Sequence, residues 1–319
     1  MKPVFEKFFL SSLASLGLAT STSAASLEAR LDEDTGTITI HRDGLAKPFV
    51  TQHAAADHRP YLHPIVGPDG NGVLTDFSPG HHRHQTGLYW GFTRVNGRDY
   101  FHHPGDNYWK RKAVNVLEAK GKSVKWETVY DLLDADGNAV LTETQRWAMR
   151  SDSDRHVLDL EWRGQTQTEV TIGKYDYGGL FLRMTWKPGI KGEAVNAARN
   201  INAAAEGQRA MWLDVGMEIA GRDDWGHIAI FDHPKNVGYP QPWRVDGQLG
   251  VGPVRARLGD WKIAKGKTET IRHQIQVYGG KLNGKKLTDR WKAYTLSLIH
   301  ISEPTRPERI AYAGFCLKK

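Results

Sequence analysis

Residues 123–130 read Ser-Val-Lys-Trp-Glu-Thr-Val-Tyr, in which apolar and polar side chains alternate with a period of two. Alternation of this kind is typical of a β-strand that buries one face in a core and leaves the other face in water. The same pattern returns in three further segments, which are residues 37–41, 156–162 and 271–278. The sequence therefore predicts a protein built mainly from long, amphipathic strands.

The turns between these segments favour antiparallel pairing. Asn-Gly and Asp-Gly pairs, such as those at residues 96–97 and 136–137, tolerate the positive φ angles of tight hairpin turns. Helical periodicity is convincing only at residues 286–294. No Pro- or Ser-rich linker divides residues 25–295. We predict an all-β fold for this segment, a single large antiparallel β-sandwich with one short C-terminal helix.

The N-terminus has the order of a secretory signal. Lys2 and Lys7 precede an apolar stretch at residues 8–19, and small residues follow at 21–25. We predict a signal peptide over residues 1–24, cleaved near Ala24 or Ala25, and a periplasmic or secreted mature protein. No other run is long and apolar enough to suggest a membrane span.

The C-terminal residues 296–319 have a different origin. Their sequence, LSLIHISEPTR followed by PERIAYAGFCLKK, resembles a translated sequencing adapter in both order and spacing. We interpret this segment as an artefact rather than as native protein, and we place the end of the domain near Thr295. The alternative is a genuine C-terminal strand at residues 312–317.

Composition and charge exclude several functions. The 319-residue chain has a net charge of +7, of which +1 lies in residues 1–24 and +2 in residues 296–319. The remaining +4 is mild, so we expect no nucleic acid partner. The only cysteine, Cys316, lies in the C-terminal segment, which leaves the domain without a thiol nucleophile. The motifs of serine hydrolases, P-loop NTPases, Rossmann dehydrogenases and zincins are absent.

Histidine is the residue type that suggests a site. Eight of the fourteen histidines fall in residues 53–103, and the densest piece reads His-His-Arg-His at residues 81–84. In an extended segment His82 and His84 project to the same side, where two imidazoles can ligate a divalent metal or act as acid and base. We predict His82, His84 and Arg83 as catalytic residues, with His82 and His84 as the metal ligands of the metal-dependent alternative.

A second candidate group follows an apolar strand and reads Asp-His-Pro-Lys-Asn at residues 232–236. Polar residues at a strand end suit a cleft, but Asp and Asn are also ordinary turn formers. Arg183 lies on an apolar strand, where it needs either an ion-pair partner or an anion. We predict Asp232 and His233 as further catalytic residues. The predicted substrate-binding residues are Arg59, Tyr61, His63, Trp90, Arg183, Asn236 and Trp243.

Several motifs occur in order along the chain: Arg59-Pro-Tyr, His82-Arg-His-Gln-Thr-Gly-Leu-Tyr-Trp90, Val95-Asn-Gly97, Gly178-Gly-Leu with Arg183, Phe231-Asp-His-Pro-Lys-Asn236 and Pro242-Trp-Arg244. Together they resemble the exported bacterial family labelled "methane oxygenase PmoA", or PmoA-like. This resemblance implies a β-sandwich related to the galactose-mutarotase-like supersandwich. It also implies a sugar substrate, because members accompany carbohydrate-utilisation genes.

These observations favour an exported carbohydrate-active enzyme of lyase, hydrolase or epimerase type. In this hypothesis His82 or His84 moves a proton, and Arg83 or Arg59 binds a carboxylate or an enolate oxygen of a small-molecule or oligosaccharide substrate. One alternative is a metal-dependent oxidase or oxygenase, as the PmoA label suggests. Another is a non-catalytic carbohydrate-binding module with Trp and Tyr platforms. The sequence leaves the cofactor and the oligomeric state open.

Overall fold

The computed structural model describes residues 26–152 and 154–296. The predicted signal peptide, residues 1–24, and the predicted adapter segment beyond Leu296 lie outside the described residues, so both stay predictions. The strands, in chain order, are β1 Leu27–Asp32, β2 Thr37–Arg42, β3 Val50–His53, β4 Tyr61–Ile65, β5 Leu88–Gly91, β6 Trp109–Glu118, β7 Lys120–Gly121, β8 Ser123–Leu133, β9 Ala139–Ser151, β10 Arg155–Thr166, β11 Val170–Ile172, β12 Gly179–Leu182, β13 Gly192–Asn196, β14 Trp212–Glu218, β15 Trp225–Asp232, β16 Trp243–Val245, β17 Val251–Pro253, β18 Trp261–Ile263 and β19 Thr268–Gly279.

The helical elements are few. Two 3₁₀ turns cover Asn202–Ala204 and Arg255–Leu258, and one α-helix, α1, covers Gly284–Leu296. The predicted C-terminal helix is therefore confirmed, two residues longer at each end than its periodicity indicated.

Two antiparallel sheets contain most of the strands in the described residues. The larger sheet has nine strands in the order β16-β17-β12-β5-β4-β3-β2-β1-β7, and the other has eight in the order β13-β14-β15-β19-β10-β9-β8-β6. The long strands β8, β9 and β10 follow one another as hairpin neighbours, as their alternation predicts. The predicted turn at residues 96–97 has positive φ at both positions.

One continuous apolar core contains residues from both large sheets, which therefore pack face to face. In β8 the alternation is direct, because Val124, Trp126 and Tyr130 are buried in this core while their chain neighbours face outward. The predicted all-β class, with a large antiparallel β-sandwich, is confirmed. No helix in the described ranges is long and apolar enough to span a membrane.

The two outer faces of the sandwich differ. On the eight-stranded sheet, α1 packs through Leu287 and Trp291 onto a small apolar cluster that includes Trp212, Phe231 and Tyr278. On the nine-stranded sheet, the outer face carries a second aromatic cluster formed by β5, β12 and the loop after β5. This open face holds most of the predicted histidines.

Candidate active site

A row of aromatic side chains crosses the outer face of the nine-stranded sheet. Tyr61 pairs with Tyr89, and Tyr89 pairs with Phe181, in the neighbouring strands β4, β5 and β12. Their neighbours along each strand point into the core because side chains alternate. Phe101, from the loop after β5, covers this row with ring centroids 5.4 Å from Tyr89 and 5.3 Å from Phe181.

A cavity of about 120 Å³ lies on this aromatic layer. Four chain segments line it, through His82, His84, Gln85, Phe101, His102, Tyr177, Phe181, Arg244 and Asp246. A tight turn positions the first segment, because the backbone N–H of His82 donates to Pro79 and that of Gln85 donates to His82. The structure thus brings the predicted His82 and His84 together with a third histidine, His102.

Asp99, His102 and Tyr177 form a hydrogen-bonded chain that ends at this cavity. Asp99 Oδ2 accepts a hydrogen bond from His102 Nδ1 at 2.7 Å, and His102 Nε2 lies 3.3 Å from the Tyr177 hydroxyl. Burial alone would raise the pKa of Asp99, but hydrogen bonds from His102 and from the backbone outweigh it and lower that pKa. The ionised carboxylate holds a proton on Nδ1, so Nε2 is the ring nitrogen that can accept a proton.

His84 lies beside His102, with 4.5 Å between the ring centroids, and the His82 ring is 5.8 Å from that of His84. Burial, reinforced by the positive charges of His102 and Arg59, lowers the pKa of His84 to about 3. His84 is therefore neutral at neutral pH, and within the described chain its ring nitrogens have no hydrogen-bond partner. A neutral imidazole can donate a hydrogen bond to a substrate oxygen.

Arg244 supplies a positive charge. Its Nη1 donates to Glu206 Oε1 at 2.9 Å, and Arg257 binds the same carboxylate, so Glu206 is shared between two guanidinium groups. The Arg244 guanidinium lies 5.7 Å from the centre of the Tyr177 ring. Burial and the neighbouring Tyr175 raise the pKa of Tyr177, so its phenol stays protonated at neutral pH.

Two further polar groups have unused hydrogen-bonding capacity. Asp246 uses Oδ1 to accept the backbone N–H groups of Gln248 and Gly250, both at 2.8 Å, and Oδ2 has no bond within the described chain. Gln85 is only 3% exposed, yet its Oε1 lacks a hydrogen-bond partner among the described residues. Buried polar atoms are normally paired, so an unpaired acceptor in a cavity wall points to a ligand or a water molecule.

The two predicted arginines near the histidine loop lie outside the cavity. Arg83 is exposed and does not line it. Arg59 is fully buried behind it, where Nη1 donates to Phe101 O at 2.8 Å, Nη2 donates to His84 O, and the guanidinium packs over the Tyr89 ring. Arg59 therefore supports the backbone of the site residues and does not reach a substrate in this arrangement.

Two of the predicted substrate-binding residues, Trp90 and Trp243, belong to the core. Trp90 is 2% exposed and stacks on Trp162, with 4.9 Å between ring centroids. Trp243 is fully buried, and its Nε1 donates to Ala210 O at 2.9 Å. Strand alternation is the physical reason, because it directs Trp243 inward and its neighbour Arg244 outward.

The group at residues 232–236 is a closed turn and does not line the cavity. Asp232 is fully buried and accepts hydrogen bonds from Asn236 Nδ2 at 2.7 Å and from the backbone N–H of Gln241 at 2.8 Å. Burial raises the pKa of Asp232 to about 6. His233 packs against Tyr294 of α1. The catalytic prediction for Asp232 and His233, and the substrate-binding prediction for Asn236, give way to the capped-turn alternative.

Tyr61 and His63 lie on the same outer face as the cavity but outside its wall. Tyr61 stacks on His53 with 4.7 Å between ring centroids, and His63 Nδ1 lies 3.0 Å from Thr75 Oγ1. Arg183 lines a second cleft that adjoins the cavity at His82. His82 and His84 find no third metal ligand, because no group of three His, Cys, Asp or Glu in residues 26–152 and 154–296 could hold a metal ion.

Five polar groups of the cavity were not predicted as site residues: Gln85, His102, Tyr177, Arg244 and Asp246. Asp99, which orients His102, was missed as well. A local signal was available for this pair, because an Asp three residues before a His can accept both its backbone and its ring N–H. Tyr177 lies 75 residues from His102 in sequence, and no local pattern joins them.

A larger cavity, of about 560 Å³, lies on the other sheet. Its floor contains Asp214 and His227, which hydrogen-bond to each other at 2.8 Å. Tyr278 donates to the second oxygen of Asp214 at 2.7 Å, and His227 Nε2 lies 3.1 Å from Gly280 O. Since these buried groups satisfy one another, we place the candidate active site at the smaller cavity, where groups remain unpaired.

Comparison with known proteins gives one family. A family model described as a family of unknown function (DUF6807) matches residues 37–292. The chain belongs to this family. The resemblance to the PmoA-like family is therefore wrong as an identification, because the matching model carries no such description, and the oxygenase alternative that rested on it is withdrawn. No curated protein matches the chain.

The solved structures that match this chain include carbohydrate enzymes. The α-galactosidase AgaB from Geobacillus stearothermophilus is 10% identical, with 80% of this chain and 42% of that chain covered and a TM-score of 0.44. The galactosidase domain of AgaSK is 11% identical, with 79% and 42% covered and a TM-score of 0.41. A galactose mutarotase related enzyme from Lactobacillus acidophilus is 10% identical, with 80% and 100% covered and a TM-score of 0.32. This chain spans about two fifths of the length of the α-galactosidases.

Proposed function

We propose that this protein is an exported carbohydrate-active enzyme that moves a proton at a sugar carbon next to a carbonyl or carboxyl group, as an epimerase or an eliminating lyase. The observation that carries the proposal is the chain from Asp99 through His102 to Tyr177. It orients a proton-accepting nitrogen beside a protonated phenol at the wall of a cavity.

The residues divide the reaction between them. His102 Nε2 accepts the proton from the carbon, and the electron pair of the broken C–H bond moves to the oxygen of the adjacent carbonyl or carboxyl group. Neutral His84 and the Arg244 guanidinium stabilise the negative charge on that oxygen. Tyr177 or a water molecule then delivers a proton to the opposite face of that carbon, which gives the epimer, and His102 releases the proton that it accepted to Tyr177 or to solvent. Loss of a neighbouring oxygen as the leaving group, protonated by Tyr177, gives an unsaturated product.

The lining supports proton transfer over the hydrolase alternative. Glycosidases generally use two carboxyl groups that flank the scissile bond. Among the residues that line this cavity in the described chain, Asp246 alone carries a carboxyl group. Asp99 is committed to His102 and to two backbone N–H groups.

A sugar suits the two kinds of surface in the cavity. Phe101, Phe181 and Tyr177 offer ring faces to the C–H side of a sugar, and Gln85 and Asp246 offer unpaired acceptors to its hydroxyl groups. A non-catalytic binding module needs such rings and acceptors, but it does not need a carboxylate-oriented histidine. For this reason we favour catalysis over binding alone.

Proton exchange in D₂O tests the proposal. The purified protein is incubated with a panel of aldoses, ketoses, uronic acids and short oligosaccharides, and ¹H NMR follows the carbon-bound protons. We expect one substrate to lose a C–H signal, with either an epimer or an alkene signal appearing. Replacing His102 with Gln should lower the rate about 10²–10⁴-fold, and Tyr177→Phe should also lower it while the thermal midpoint stays within a few degrees.

The matched control is His103→Gln, a neighbouring histidine that stacks on Tyr108 and does not line the cavity. This variant should retain full activity. Faster interconversion of anomers without deuterium uptake would replace the proposal with mutarotation. Sugar binding with no turnover of any panel member would leave only the binding module.

A further inference from the structure

A second cleft, of about 360 Å³, adjoins the candidate active site and shares His82 with it. Its wall includes Arg183 at the end of β12, with Trp186 and Lys187 shortly after it in the chain, and Asp76 from the loop after β4. The volume falls within the range of roughly 300–1,000 Å³ that small-molecule sites occupy. The shared histidine means that one ligand could extend from the cavity into this cleft.

Arg183 is the unusual residue of the cleft. It is only 2% exposed, and in the described chain it has no carboxylate partner within ion-pair distance. Nη1 donates to Gln248 O at 3.1 Å, while Nε has no hydrogen-bond partner. Arg59 is equally buried and its Nε is also unpaired, but three backbone carbonyls and the Thr86 hydroxyl accept its other hydrogen bonds, and an aromatic ring stacks on it. The charges of Asp246 and Asp76 act on Arg183, but neither carboxylate lies within ion-pair distance, so an anion bound directly to the guanidinium would stabilise this buried cation.

The other groups of the cleft define the chemical class of the ligand more narrowly. Lys187 is exposed at the edge and has no ion pair in the described ranges, so it adds positive charge. Asp76 is the single carboxylate of the lining, and its Oδ2 is buried without a hydrogen-bond donor. A ligand with a carboxylate for Arg183 and a nearby hydroxyl for Asp76 satisfies both. Trp186, which is half-buried, supplies an apolar face.

We propose that this cleft binds the carboxylate of an acidic sugar, which makes uronic acids or their oligosaccharides the substrate class of the neighbouring cavity. The inference rests on the proposed function. A carboxylate held by Arg183 and Lys187 and a hydroxyl held by Asp76 place one end of the sugar in the cleft. The remainder of the ring then passes His82 toward His84 and His102.

Isothermal titration calorimetry with matched sugars tests the inference. The probes are glucuronate and galacturonate against glucose and galactose, at constant ionic strength, on the full-length protein. We expect the acidic sugars to bind at least tenfold more tightly than the neutral ones. In Arg183→Gln this preference should fall to less than twofold, and Lys187→Gln should weaken acidic sugars two- to threefold. Lys191→Gln, which changes an exposed lysine that pairs with Glu218, is the matched control and should bind like the wild type.

Several outcomes overturn the inference. Equal binding of acidic and neutral sugars does so, and so does an Arg183→Gln protein that folds normally and keeps the preference. Thermal unfolding establishes whether Arg183→Gln folds. Should it not fold, Arg183→Lys, which keeps the charge and loses the planar fork, is expected to show a reduced but measurable preference, and an undiminished one contradicts the assignment.

Failure of the uronate-binding inference can be distinguished from failure of the proposed function. Uronates that bind through Arg183 but undergo no proton exchange would sustain this cleft as a sugar-acid site and remove the proposed catalysis. Turnover of neutral sugars alone, with no binding of uronates, would sustain the catalysis and remove the cleft from it.

Discussion

The two outer faces of the sandwich each contain an aspartate, a histidine and a tyrosine joined by hydrogen bonds, yet the two groups differ in how these bonds are arranged and in how far the side chains are exposed. In the group on the eight-stranded sheet, Asp214 accepts from both His227 and Tyr278, and the second nitrogen of His227 lies within hydrogen-bond distance of Gly280 O. Every polar end is used inside the protein.

The group on the nine-stranded sheet is linear. Asp99 binds one nitrogen of His102, and Tyr177 lies at the other nitrogen, where the chain meets a cavity. The side chains of Asp99 and His102 are each 33% exposed, whereas those of Asp214 and His227 are 1% and 3% exposed. The comparison teaches that residue types and cavity volume do not identify a site, because the larger cavity lies above the closed group. The arrangement of the hydrogen bonds distinguishes a group that can transfer a proton from a group that only stabilises the fold.

The largest expected effect is on stability, and it separates the two groups. Replacing His227 with Gln breaks a buried aspartate–histidine pair, so the free energy of unfolding should fall by about 3–5 kcal/mol. His102→Gln affects a partly solvated pair and should cost about 1 kcal/mol or less. Urea denaturation of both variants measures the difference. Equal losses in the two variants would remove the distinction between a closed group and an open one.

A smaller effect is expected from glycines near the two groups. A Cβ at Gly216 would lie 2.1 Å from Cε1 of the His227 ring, whereas a Cβ at Gly247, in the turn beside Asp246, would meet nothing within 4 Å. Gly216→Ala should therefore destabilise the protein by about 1–3 kcal/mol through overpacking, and Gly247→Ala should leave the urea midpoint unchanged. A neutral Gly216→Ala would show that the closed group has room to shift.

The two histidines His227 and His84 should also make the free energy of unfolding depend on pH in opposite ways. At neutral pH this is the smallest of the expected effects. Burial would lower the pKa of His227, but the hydrogen bond and charge of Asp214 outweigh it and raise that pKa. The stability that the His227–Asp214 pair contributes is complete below the pKa of about 6.5 that His227 has in the unfolded chain. It is lost as the pH rises through the higher pKa that His227 has in the folded protein. The pKa of His84 is lowered to about 3, so its contribution is present above about 6.5 and is lost as pH falls.

Unfolding free energies at several pH values test these opposite signs. The gap between the wild type and His227→Gln should narrow from pH 6 to pH 9. Relative to the wild type, His84→Gln should gain stability from pH 7 to pH 4, because it has no ring to protonate. His103→Gln, at an exposed position in the loop after β5, is the reference variant. If the stability differences of His227→Gln and His84→Gln from the wild type changed with pH in the same direction, the environments assigned to the two histidines would be contradicted.

The fold was accessible from the sequence because its long strands carry an unbroken period of two. That period also contained information that the site prediction did not use. In β5, Trp90 shares a face with Leu88, and both lie in the core. A strict reading of alternation would have placed Trp90 there and directed Tyr89 outward.

The sequence predicted that His82 and His84 project to the same side of an extended segment, and the structure places both in the wall of one cavity from a tight turn. Their partners could not be predicted in the same way. Tyr177, just before β12, and Arg244, on β16, are far from His102 in sequence, and only the order of strands in the sheet brings them beside it. Asp232 and Asn236 show the reverse case, in which a polar motif with a plausible chemistry serves to close a turn.

The alternation along β5, β12 and β16 also bears on how substrate preference could diverge among relatives. Each of these strands contributes an outward residue to the layer or wall of the site, namely Tyr89, Phe181 or Arg244, between inward residues that belong to the core. A substitution at Phe181 or Arg244, which line the cavity, changes what a ligand meets without altering the packing between the sheets. Selection can therefore act almost independently on ligand recognition and on folding, through residues that are adjacent on the same strand. Variants in which the outward residues are exchanged offer a direct route to new specificities.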